Sequence, residues 1–174
     1  MDTLTAEAAA LSGPGHWETG QLDSAHLTVR ALEPRRDVIP PDDPTLGRYQ
    51  SALDRATKAS TWPLRFHVTG LTLTPGSVMA CALPVDGGAD LFSDHLTAEL
   101  GPDARHEPER RDIWYLNLLH FTTDIAKPDE LIDWVAARRH TTVGTTTIGV
   151  PELVRADHQP SPRPHMRLEP VRAL

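Results

Sequence analysis

Sixteen prolines, many of them paired or clustered, keep this chain from folding as a bundle of long helices. Each one removes a backbone donor and fixes one torsion, so helices and central strands are confined to the stretches between prolines. Those stretches alternate in character, which predicts many connections and a mixed α+β fold. The 174 residues and 39% hydrophobic content suffice for one domain with a proper core, as a single body or as two lobes.

The pattern of apolar residues orders the elements. Residues 1–20 are short, polar or alanine-rich and read as a flexible N-terminal tail, leaving 21–174 as the single domain. Ser24 to Leu32 alternates as a strand, with Ala25, Leu27, Val29 and Ala31 toward a core and Ser24, His26, Thr28, Arg30 and Leu32 on the other side. Leu46, Tyr49, Leu53 and Ala56 recur at helical spacing. Leu64 to Leu73 and Val78 to Leu83, joined by Thr74-Pro75-Gly76-Ser77, predict a hairpin. Asp90 to Leu100 predicts a helix stopped by Gly101, Ile113 to Thr122 a central strand covered on both faces, and Glu130 to Arg139 another helix. Thr141 to Val150, Glu152 to Asp157 and Met166 to Val171 complete the strands.

Charge narrows the function. A net charge of -7 and a pI near 5.6 argue against an extended nucleic-acid surface, which needs a basic face. A small phosphodiester or a short RNA end remains compatible, because a local pocket can be basic on an acidic protein. The single cysteine, Cys81, allows no intrachain disulfide and reads as a small core residue. Met1 to Gly15 carries no basic residue and no continuous apolar stretch, so no signal peptide or membrane span is expected, and the expectation is a cytoplasmic monomer.

Two tripeptides carry the chemistry: His26-Leu27-Thr28 and His120-Phe121-Thr122. On a strand, residues two apart share a face, so each histidine points the same way as its threonine. The pattern His-x-Thr also occurs at His67, His95 and His140. His95 falls in a helix, where two-apart residues diverge, and His140 closes a helix. His67-Val68-Thr69 satisfies the alternation equally and stays a competitor. His26 and His120 differ in that each strand leads into a proline-containing loop and a helix.

Opening a cyclic phosphate by in-line attack needs a base on the incoming water and an acid on the leaving oxygen, at opposite sides of phosphorus. Two histidines on facing strands meet that requirement near neutral pH, and symmetry leaves open which is which. Thr28 and Thr122 would donate to the non-bridging oxygens. Arg30 shares the face of His26 and Thr28 and either adds positive charge or is an ordinary surface arginine. Trp17, Trp62 and Tyr115 read as packing residues, with base stacking as the other reading. The histidines lack carboxylate or thiolate partners at ligand spacing, so neither a metal nor a cofactor is expected.

The pair His26-Leu27-Thr28-Val29 and His120-Phe121-Thr122-Thr123 resembles the signature motifs of the two-histidine (2H) phosphoesterase superfamily, which includes the LigT-like RNA 2',3'-cyclic phosphodiesterases, or 2'-5' RNA ligases. The hairpin Leu64 to Leu83 and the tail from Leu153-Val154-Arg155 to Met166-Arg167-Leu168 resemble further parts of that family, so the similarity spans roughly residues 22 to 174. It implies a bilobal fold, with two antiparallel-rich sheets facing a central cleft and helices outside. It also implies metal-independent cleavage or transfer at a phosphodiester. The second motif departs from the family in Thr123, where an apolar residue is usual. It departs again in Ile125, where relatives acting on RNA often carry a basic residue. Asp124, on the expected face of His120 and Thr122, repels a phosphate unless it is paired. Three other readings stay open: a catalytically diverged module that binds a nucleotide or phospho-metabolite, a different esterase on the same fold, and an interaction domain with structural histidines.

Overall fold

A computed structural model of the chain describes residues 1–21, 23–40, 42–159 and 164–171. The four helices are α1 (Asp2–Ser12), α2 (Pro44–Lys58), α3 (Gly88–Leu100) and α4 (Pro128–Ala137). The seven strands are β1 (Trp17–Glu18), β2 (Leu64–Thr74), β3 (Ser77–Pro84), β4 (Trp114–His120), β5 (Thr142–Ile148), β6 (Val154–Gln159) and β7 (His165–Pro170). The fold class is therefore α+β, as the alternation of segments predicts.

The loose tail expected over residues 1–20 is instead a helix and a short strand. Alanine is the strongest helix former, and Leu4, Ala8 and Leu11 recur at helical spacing. That stripe packs into the core formed with α4 and β4, with Ala8 fully buried. Gly13, at φ 90, ends the helix, and its N–H donates to the Ala9 carbonyl. At Gly20 a Cβ would lie 2.2 Å from the Thr5 hydroxyl, so only glycine lets the returning chain pass this close to the helix.

The strand expected over Ser24 to Leu32 also needs correction: residues 25–32 run without a ladder partner. The neighbouring places in the sheet are taken, because β4 pairs with β3 on one side and with β1 on the other, both antiparallel. The segment is covered on both sides instead. Leu27 packs against both cores and Val29 against one, while Ser24 and Arg30 on the opposite side are themselves buried. Some of its polar groups find partners outside a ladder: Ala31 N–H donates to Glu107 Oε2 at 2.8 Å, and Arg30 Nη1 to the Ala104 carbonyl at 3.3 Å.

The helices follow the expected stripes. Asp43 caps α2 by accepting from Thr45 N–H at 2.8 Å, with Pro44 in the first turn. Its contact with Arg36 holds the Asp43 carboxyl below the usual range. Leu46, Tyr49, Leu53 and Ala56 of α2 and Phe92, Leu96 and Leu100 of α3 are buried. Together they close over Leu64, Phe66, Ala82 and Trp114 of the sheet. Gly101 ends α3 at φ 52. Helices α1 and α4 form the second core, with Leu131 and Val135 against Val68, Leu71, Leu118 and Leu119.

All seven strands join one sheet in the order β5-β2-β3-β4-β1-β7-β6, in place of the two facing sheets that were expected. The predicted hairpin is β2–β3, antiparallel. Strand β4 is central as predicted; a register shift against β3 between Val78 and Met79 skips Leu118, and Leu118 and Leu119, both 0% exposed, join the same core. Two-residue β1 links this half to the β6–β7 hairpin through one register pair among the described residues, Glu18 with His165.

Candidate active site

His120 is the last residue of β4, opposite Trp17 in β1 and opposite Ser77 in β3. Glu18 pairs with His165, and Met166 pairs with His158. Strand alternation therefore sets His120, Trp17, Met166 and His158 on one face across four neighbouring strands. The Trp17 and His158 rings meet edge-on with centroids 4.6 Å apart.

His26 reaches the same place from outside the sheet. The His120 imidazole is held below the ordinary histidine range first by burial, then by the His26 and His158 imidazoles facing it. The two motif histidines, one on a loop and one on a strand, are thus near enough for a charge on one to disfavour a charge on the other. A carbonyl only accepts, so the 2.7 Å contact between His26 Nδ1 and the Ser24 carbonyl puts a proton on Nδ1. Nε2 is then the nitrogen left for chemistry.

His158 is the reverse case. Arg35 Nη1 donates to its Nδ1 at 2.8 Å, so the neutral ring carries its proton on Nε2. Burial, then the Arg35 charge, lowers its pKa, and Asp157 opposes the shift. Strand reading missed His158 because the expected strand stopped at Asp157. The alternation Val154, Ala156, His158 was the available signal. Trp17, read from sequence as a packing residue with base stacking as the other reading, packs against His158 in the structure.

The second tripeptide is split by the end of β4. Phe121 is half-buried and meets the edge of His16 at 5.6 Å, whereas Thr122 and Asp124 are exposed beyond the strand. The Thr122 hydroxyl donates to the Gly15 carbonyl at 2.5 Å, and Thr122 N–H donates to His16 Nδ1 at 3.2 Å. His16 in turn donates from Nε2 to the Ser12 carbonyl at 3.1 Å. Thr122 thus fastens the turn before β1 to the end of β4, and its one hydroxyl proton is committed there.

A cavity of about 790 Å³ lies beneath the extended segment, with His26, Thr28, Arg30, Arg35 and His158 in its wall. His120 does not line it. Among the described residues, no group of three or more His, Cys, Asp or Glu side chains is arranged to hold a metal ion. None of the helices is long and apolar enough to cross a membrane.

The remaining His-x-Thr matches lie elsewhere. His67 is exposed on β2 and bonded to the Thr145 hydroxyl at 3.2 Å across β5. His95, on α3, meets the Ser60 hydroxyl at 2.9 Å, and His140 is exposed beyond α4. Trp62 packs on Phe92 and donates to the Thr57 carbonyl, in keeping with a packing role, and Tyr115 takes a bond from Arg111. Cys81 is half-buried on β3.

No protein-family model matches the chain, and neither does any curated protein or solved structure.

Proposed function

We propose that this chain is a metal-independent phosphodiesterase acting on a cyclic phosphate or small phosphodiester, with His26 and His120 as the acid–base pair. What supports this reading is that the His26 imidazole lies close enough to His120 to help burial lower its pKa, while His26 shares a cavity wall with Thr28, Arg35 and His158. A neutral His120 is the base: it takes the proton of a water that attacks phosphorus. His26, anchored through Nδ1, gives the Nε2 proton to the leaving oxygen as the phosphorus–oxygen bond breaks, and a phosphomonoester results. Thr28 donates to a non-bridging oxygen, and Arg30 and Arg35 supply positive charge. Thr122 joins only if its hydroxyl leaves the Gly15 carbonyl. The narrow β1–β7 junction supports a bilobal arrangement resembling the 2H phosphoesterases, with His120 and His158 flanking it.

The test is turnover of uridine 2',3'-cyclic phosphate. His26→Ala and His120→Ala should each abolish it while circular dichroism stays native. Full activity in either variant overturns the reading.

A second reading, binding without turnover, is favoured by the committed Thr122 hydroxyl and by the absence of His120 from the cavity wall. Saturable binding of phosphodiesters with no hydrolysis across a panel would select it.

A further inference from the structure

The wall of the cavity beneath residues 25–32 is of two kinds. One part carries His26, Thr28, His158 and Arg35. Arg36 and Arg155, also in the wall, are paired with carboxylates, whereas Arg35 meets no carboxylate among the described residues and bonds His158 instead. Glu33, Asp37, Glu152 and Asp157 also line the cavity, so an anion would be held at Arg35 and its histidine neighbours rather than along the whole wall. The other part is built from Leu27, Val29, Leu32, Trp62, Ile148 and Leu153, half-buried side chains packed over the closed core of Phe66, Phe92, Leu96 and Trp114.

The polar tips on the apolar part are already engaged. Trp62 Nε1 donates to the Thr57 carbonyl at 3.0 Å, and Trp114 Nε1 to Asp90 Oδ1 at 3.1 Å. The Tyr49 hydroxyl donates to the Leu32 carbonyl at 3.4 Å. Those side-chain tips offer a nucleobase no free partner, so they cannot replace the hydrogen bonds to water that it would lose in a buried site. An alkyl chain or apolar ring loses nothing on entry and leaves water. The volume of about 790 Å³ exceeds what a phosphate alone needs and lies in the range of small-molecule sites.

We propose that this cavity takes a phosphate ester whose organic group is apolar, with the phosphate at Arg35, His158 and His26 and the organic group against Trp62, Ile148 and Leu153. The seat of the phosphate rests on the phosphodiesterase reading; the character of the group it carries rests on the cavity wall.

The experiment is calorimetric titration of the full chain with inorganic phosphate, n-butyl, n-hexyl and n-octyl phosphate, and uridine 2',3'-cyclic phosphate. The expected result is a Kd that falls about fourfold for each methylene added, with uridine 2',3'-cyclic phosphate weaker than octyl phosphate. A Kd independent of chain length, a tighter uridine ligand, or no binding by any alkyl phosphate overturns the proposal. Ile148→Trp, which narrows the apolar part, should flatten the chain-length dependence; a folded variant that keeps the wild-type dependence also overturns it. Because the titration reads binding alone, a protein that hydrolyses nothing still gives the series. A flat series with intact turnover removes the apolar ligand and leaves the phosphodiesterase standing.

Discussion

Trp17 sits directly opposite His120 in the β1–β4 ladder and presses its ring edge-on against His158, so a residue from the N-terminal segment bridges two of the three site histidines. Trp17→Ala removes an aromatic pair and about half a tryptophan's burial. A loss of about 2 kcal/mol in urea unfolding is expected. The same variant should move the His158 resonances in NMR spectra. Unchanged His158 shifts would remove the bridge.

The His120 titration gives the second prediction. Its folded pKa lies below the unfolded value, so below the unfolded pKa the unfolded chain binds more protons. The contribution of His120 to stability is thus complete above the ordinary histidine pKa. It is lost as pH falls from there through the lowered folded value. NMR titration should show His120 with a midpoint below that of an ordinary histidine, and His26→Gln should raise it. A midpoint unmoved by His26→Gln would mean that the two rings do not interact.

The two motif threonines should behave differently. Thr122→Val deletes the bond to the Gly15 carbonyl and should lower stability by about 1 kcal/mol. Thr28→Val, in the cavity wall, should reduce turnover or phosphate affinity with little change in unfolding midpoint. Equal effects on stability and activity in the two variants would restore the symmetric arrangement expected from sequence.

Removal of residues 1–12 tests the N-terminal helix. The deletion uncovers Leu118 and Leu119 beneath α1 and forfeits the burial of Leu4, Ala8 and Leu11, a loss on the order of 3 kcal/mol. A lower thermal midpoint and lower solubility are expected. A truncated protein as stable as the full chain would return these residues to a dispensable tail.

Much of the scaffold was legible because local signals and tertiary packing agree. The Leu46–Ala56 stripe, the Pro75-Gly76 turn and the Gly101 stop each appear where the pattern put them. The misreadings have one cause: pairing is a tertiary property. The alternation of Ala25 to Ala31 is that of a strand, yet the place beside β4 went to Trp17 and Glu18, which carry almost no period of their own. For the same reason His158 did not stand out in the sequence, and Trp17 stood there only as a packing or stacking residue. Their place beside His120 is fixed by a register between strands far apart in the chain.

The link between β1 and β7 gives that register an unusual sensitivity. One residue pair, Glu18 with His165, sets the phase of the whole C-terminal hairpin against the rest of the sheet. A strand has a period of two, so a slip of one position there turns His158 and Met166 to the opposite side while leaving every other strand intact.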